Sequence, residues 1–312
     1  MRDSSALRRS SDAIWIVIAA SIVALVIACI VQKVSVGVTS GLIVITTNAI
    51  MIGIATRARK SGWCNVADWV AATAQMSLLT SVLTALSYVL ASTNLPLQDT
   101  TLIAVDRSIG VDWRSVIDFF LRQPWLMLFL NYAYASLTYQ VLLFVPLVFL
   151  TGYGQMGWQF VLAWSIALAM CVMIFPFAPA LGGYLHYQLE PRDFPEVRVL
   201  ATWLFVAPFH ALRDGSLKIV ELSTLDGIIT FPSYHASVAI LLAWAASGIP
   251  YLRFPMIALN LVMLVSSVPI GGHYLVDVIA GSLVGVVSVI AARAWVGSTQ
   301  PLIGFRPVRA EA

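Results

Sequence analysis

The chain has 312 residues, 60% of them apolar and 11% charged, against roughly 45–50% and 25% in an ordinary soluble domain. Its mean hydropathy of +0.88, carried by apolar runs of about 20 residues, makes a bilayer its main solvent and excludes a soluble monomer. A net charge of +3, from 18 basic and 15 acidic residues set mainly between those runs, argues against nucleic acid as a partner, and three widely spaced cysteines offer no redox pair or zinc framework.

The first apolar run, residues 13–31, follows Arg8 and Arg9. It exceeds the roughly 7–15 residues of a cleaved signal core, so it is expected to remain as an anchoring span. Val26-Ile27-Ala28-Cys29 has the form of a lipoprotein cleavage box, but the run continues through Ile30 and Val31, and lipidation is not expected. Runs of spanning length follow at 37–56 and 66–91. Residues 95–124 then mix Asp99, Asp106, Arg107, Asp112, Arg114, Asp118 and Arg122 with apolar side chains, which predicts a helix lying on the membrane surface.

Spans four and five are expected at 125–150 and 158–182. Between them Gly152, Gly154 and Gly157 match a dinucleotide fingerprint by letter, but with no strand before them they are read as a turn. Residues 199–212 are apolar but short and contain Pro208, so they suit a re-entrant or interfacial piece. The last three spans are expected at 231–248, 252–270 and 273–296, where Gly281 and Gly285 predict a close helix-packing face.

Within lipid each span must be helical, because no other open backbone satisfies its own amides there. The expected fold is therefore an all-α polytopic bundle of about eight spans. Residues 1–60 would form an N-terminal pair, 61–300 the membrane core, and 301–312 a cytoplasmic tail. With the N-terminus inside, ten Lys and Arg lie on the inner side and eight on the outer, the latter spread over longer loops, which favours both termini inside.

Between Asp226 and Glu311 the only carboxylate is Asp277. An ionised group in a span needs a partner or a wet cavity, and His273 lies one helical turn before it. A carboxylate there can fix the imidazole tautomer and leave the other nitrogen free as base or nucleophile. His235 opens span six and His273 opens span eight, so the span between them returns both histidines to one membrane face. His186 and His210, without a carboxylate at helical spacing, are expected to be interfacial.

The string Phe231-Pro232-Ser233-Tyr234-His235, followed 38 residues beyond His235 by Gly272-His273-Tyr274 and then Asp277, resembles the second and third motifs of the type 2 phosphatidic acid phosphatase superfamily. The spelling is nearest its inositol phosphorylceramide synthase-like branch. The resemblance is specific over residues 231–285 and rests upstream on the span arrangement and on Phe175-Pro176-Phe177-Ala178-Pro179. It implies a six-helix phosphatase-type core and a metal-free, cofactor-free phosphoryl transfer on a lipid or polyprenyl phosphoester at the outer face. In that scheme His273 is the nucleophile, Asp277 orients it, and His235 is the general acid. Ser233 and the backbone at Gly271 and Gly272 are placed to bind phosphoryl oxygens.

The chain departs from the superfamily in lacking an upstream Lys-x-x-x-x-x-x-Arg-Pro string and in carrying Ser267 where an arginine is usual. Arg213 and Lys218 are the expected replacement cations, with Arg192 third. Three readings stay open beside transfer to an alcohol such as inositol: simple hydrolysis of a lipid phosphate, a non-catalytic lipid transporter on the same fold, and a metal-dependent hydrolase using His235, His273 and Asp277 as ligands.

Overall fold

The structure, a computed structural model, describes residues 4–190, 192, 201–222 and 225–296. Helices α1 (Ser4–Gln32), α2 (Val38–Lys60) and α3 (Cys64–Ala91) come first, with a two-residue strand β1 (Ser35–Val36) between the first two. Two short helices, α4 (Asp99–Ser108) and α5 (Trp113–Leu121), precede the long α6 (Pro124–Leu150) and α7 (Gly154–Ile174). A 3-10 turn at Phe175–Phe177 leads to α8 (Gly183–His186), α9 (Ala201–Leu204), α10 (Val206–Arg213) and strand β2 (Ile219–Val220). The chain ends in α11 (Tyr234–Ala246), α12 (Arg253–Ser266) and α13 (Leu275–Val296).

The protein is an all-α membrane bundle. Among the described residues six helices, α1, α2, α3, α6, α7 and α13, are long and apolar enough to cross a membrane. Helices α1 and α2 bury little of their surface, whereas α3 and α7 are two-thirds buried and form the middle of the bundle. The main core joins Leu79 and Leu83 of α3, Phe160 and Leu168 of α7, Leu241 of α11 and Val289 of α13.

Contacts at the two ends of the bundle set its topology. At one end the Trp295 indole donates to the Arg9 carbonyl, the Gln75 amide to the Ser11 hydroxyl at 2.9 Å, and Arg59 pairs with Asp68. The beginning of α1 and the end of α13 therefore share an end, as an even number of crossings requires. At the other end β1 pairs in parallel with β2, Ser35 opposite Ile219, and the Ser40 hydroxyl donates to Glu221 at 2.9 Å.

Three expectations need correction. The runs expected at 231–248 and 252–270 yield α11 and α12 of only 13 and 14 residues, about 20 Å each, against about 30 Å of hydrocarbon. Helix gives way early because Ser233 caps α11, and the segment from Ser267 through Gly272 turns to present His273. The stretch expected to lie on the surface is instead two helices folded onto the bundle, with Asp99, Leu102, Ile103, Asp106, Trp113 and Ile117 buried. Of the three glycines read as a turn, only Gly152, at φ +90°, makes one. Gly154 opens α7, and Gly157 packs inside it against Phe149 and Val148.

The short segment ending at Leu212 does not span. The part of it that is described is α9 and α10 with Phe205 between them, and Phe205, Phe209 and Leu212 pack with Tyr88, Phe175 and Val220 in a cluster at the histidine end of the bundle. Residues 199 and 200 lie outside the described residues.

Gly281 and Gly285 do form a packing face. A Cβ at Gly281 would stand 2.1 Å from the Ser233 carbonyl oxygen, and one at Gly285 2.8 Å from that of Ser237. The Ser237 hydroxyl donates to the Gly281 carbonyl at 2.7 Å, so α11 and α13 are bonded as well as touching. Gly281→Val is expected to lower stability by at least the roughly 1–3 kcal/mol of an overpacked core and to displace Ser233. A melting temperature in detergent equal to that of the wild type would contradict this.

Candidate active site

The first amides of a helix have no partner within it and must find one elsewhere. At α13 two carboxylates divide the task. Asp277 folds back to accept from the Tyr274 amide at 2.9 Å. Asp106 arrives from α4 to accept from Leu275 at 2.7 Å and Val276 at 2.8 Å. Both carboxylates are buried, and each is charge-compatible with a helix N-terminus. Burial pushes the Asp106 carboxyl above the usual carboxylate range, and its two amide bonds oppose that push.

The same elements fix the loop that carries His273. Its amide donates to the Ser267 carbonyl at 3.2 Å, and its carbonyl accepts from the Trp113 indole at 3.0 Å. The Gly272 carbonyl accepts from the Gly183 amide at 2.9 Å. Asp99 accepts from the Leu181 and Gly182 amides and from the Tyr274 hydroxyl. Trp113 meets Tyr184 edge to face at 5.1 Å and stacks on Tyr187 at 5.5 Å. Gly183 must be glycine here, since a Cβ would lie 2.1 Å from the Trp113 ring.

His273 Nδ1 faces Asp277 Oδ2 at 3.4 Å, an ion-pair distance longer than an ordinary hydrogen bond. That face-to-face placement leaves Nε2 as the ring nitrogen turned away from the carboxylate. His235 stands in the first turn of α11. Its Nδ1 is 3.2 Å from the hydroxyl of Tyr134 on α6, and the two rings stack at 4.1 Å with 12° between their planes. Gly271 lies where these groups meet: a Cβ there would be 2.8 Å from His273 Cδ2 and 2.9 Å from the Tyr134 hydroxyl. The structure thus gathers His235, His273, Asp277, Gly271 and Gly272 at one end of the bundle.

Ser233 is buried, accepts from the Ala236 amide at 3.4 Å as the cap of α11, and donates its own amide to the Asp277 carbonyl at 3.0 Å. The expected cations make their contacts elsewhere. Arg213 donates to the Leu95 carbonyl at 2.9 Å and lies over the Phe209 ring. Lys218 sits beside β2, where its carbonyl accepts from the Ser35 amide, and Arg192 pairs with Glu190 at 2.8 Å. Ser267, at the position of the usual arginine, turns its hydroxyl back to the Met263 carbonyl. His186 meets Tyr187 edge to face and His210 meets Phe209 in the same way.

Sequence reading missed Asp99, Asp106, Trp113 and Tyr134. A signal for the carboxylates was present: Asp99, Leu102, Ile103 and Asp106 recur at helical spacing, which puts both acids on the apolar stripe rather than the wet face. Nothing comparable marks Tyr134 among the aromatic residues of its span.

The two histidines, the carboxylate beside one of them and the bonded junction of α11 with α13 thus come together at one end of the bundle. A family model described as PAP2 superfamily matches residues 100–291, and the chain belongs to that superfamily, whose members act as phosphatase-type enzymes on lipid phosphoesters. The match begins at α4, so the segment that caps α13 is part of the family core. Searches of curated proteins and of solved structures give no match.

Proposed function

We propose that the protein cleaves a lipid or polyprenyl phosphoester through a phosphohistidine on His273, without a metal, at the outer face of the membrane. The observation that carries this reading is the convergence of His273, backed by Asp277 at 3.4 Å, with His235, held by Tyr134. His273 Nε2 attacks phosphorus as the ester P–O bond breaks, and His235 gives its Nε2 proton to the departing oxygen. Asp277 stabilises the imidazolium character that develops on His273. Water or an alcohol then attacks the same phosphorus, the N–P bond breaks, and His235 takes the proton of the incoming group.

Gly271 and Gly272 amides donate to no protein acceptor among the described residues, which supports them as donors to the phosphoryl oxygens. Ser233 supports the site from beneath as the cap of α11. Arg213 serves as a headgroup-attracting charge only if substrate draws it from the Leu95 carbonyl, and Lys218 serves as a second such charge. The outer face follows from the charge count, and the motif spelling favours an inositol-type alcohol as acceptor.

Membranes carrying the protein, supplied with labelled lipid and polyprenyl phosphoesters and EDTA throughout, test this directly. Phosphate release undiminished by EDTA is expected, and a new labelled lipid that forms only with added inositol or inositol lipid would identify the transferase. Activity abolished by EDTA and restored by a divalent cation would overturn the metal-free scheme.

A further inference from the structure

We infer that Tyr134 is the positioning residue of His235, holding the imidazole so that Nδ1 meets its hydroxyl and Nε2 is the nitrogen left free for proton transfer. The inference rests on the reading of His235 as general acid and goes beyond it, since neither motif contains Tyr134.

Two contacts act on the same imidazole from one side chain. The Tyr134 ring lies 4.1 Å from the imidazole and within 12° of parallel, which fixes the ring plane. Its hydroxyl lies 3.2 Å from Nδ1, which fixes the rotation within that plane. A 180° ring flip would leave the hydroxyl facing a carbon. Stacking alone would permit either orientation, and the hydrogen bond alone would permit tilting.

The contact also leaves one nitrogen for chemistry. A phenol accepts from Nδ1–H or donates to a bare Nδ1, so Nδ1 has the hydroxyl as its partner in either tautomer, and Nε2 is the nitrogen left to exchange a proton with the leaving group and the acceptor. Without the hydroxyl, the stacked ring is free to turn over and carry Nε2 away from the departing oxygen.

Position along the chain makes this dependence unusual. Tyr134 belongs to α6, about 100 residues before His235 on the chain, and its hydroxyl also borders Gly271, next to His273 Cδ2. One hydroxyl of α6 thus touches the surroundings of both histidines, and α6 registers α11 against the loop before α13.

The test compares an alkyl phosphate ester, whose leaving oxygen needs a proton, with a 4-nitrophenyl ester of the same tail, whose leaving oxygen does not. Tyr134→Phe keeps the stacked ring and removes the hydroxyl. It is expected to lower kcat/KM, which reports the steps through departure of the leaving group, by about 10–100-fold for the alkyl ester, a part of the 10²–10⁴-fold available to a positioned acid, with kcat/KM for the nitrophenyl ester within about threefold of wild type. The readout is the ratio of the two rates within one preparation, so a smaller folded fraction, which scales both alike, leaves it unmoved. Equal slowing of both esters, or no slowing of either, would overturn the inference. His235→Ala run alongside separates the two levels. If His235→Ala is selective for the alkyl ester and Tyr134→Phe is not, Tyr134 has no positioning role and the acid reading stands. If His235→Ala slows both esters alike, the acid reading fails and the inference fails with it.

Discussion

Replacing His273 by alanine is expected to reduce phosphoester turnover by about 10³ or more, roughly 4 kcal/mol at 1.36 kcal/mol per tenfold, while the bundle stays folded. The separation of effects follows from how the residue is held. Its amide is tied to Ser267 and its carbonyl to Trp113, and neither bond involves the imidazole. The loop should therefore keep its course when the ring is removed. What is lost is the nitrogen that attacks phosphorus, and with it the partner of Asp277. Initial rates on a labelled lipid phosphoester, beside a melting curve in detergent, measure both quantities. Full activity in His273→Ala would end the phosphohistidine scheme, whatever the melting curve shows.

Asp106→Ala should act in the opposite proportion, costing stability and activity together. The carboxylate makes two charge-assisted bonds to the opening amides of α13, at 2.7 and 2.8 Å. At roughly 1.5–3 kcal/mol each, their loss amounts to a large share of the marginal stability of a folded protein. The first turn of α13 would fray, and Asp277, which caps the same turn through Tyr274, would lose its fixed relation to His273. We expect a melting temperature lower by several degrees and a fall of at least tenfold in kcat. Asp106→Asn, which retains one acceptor oxygen, should fall between the two. A variant with wild-type melting and wild-type rate would show that Asp277 caps α13 unaided.

Much of this was written in the chain. Apolar runs bounded by charges located the long helices, since backbone satisfaction in lipid leaves no alternative to helix. His235, His273 and Asp277 were visible because ionisable side chains are scarce in the last third of the sequence. Scarcity hid nothing there, but abundance did upstream: Asp99 and Asp106 sit among five other charged residues between 95 and 124, and their count outweighed their spacing. Their partners are backbone amides 82 to 170 residues away, and a backbone amide leaves no mark in a sequence. The lengths of α11 and α12 were misjudged for a related reason. An apolar residue in a turn reads the same as one in a helix, so Val268 and Ile270 extended the apparent span.

The brevity of α12 affects the lipid around it. Phe254, Leu261 and Val265 are 75%, 57% and 54% exposed, so this helix borders the bilayer. At about 21 Å it is far shorter than α6, whose 27 residues run about 40 Å. The hydrophobic belt of the protein is therefore uneven, and neighbouring lipids must tilt or thin to follow it, at a fraction of a kcal/mol per ångström of mismatch. On that flank headgroups are expected to ride closer to the histidines than they do around α6. In the proposed scheme a substrate arriving there would give up less of its tail's contact with the leaflet before its phosphate reached His273, and turnover is expected to vary with bilayer thickness, which rates in vesicles of short- and long-chain lipids would measure.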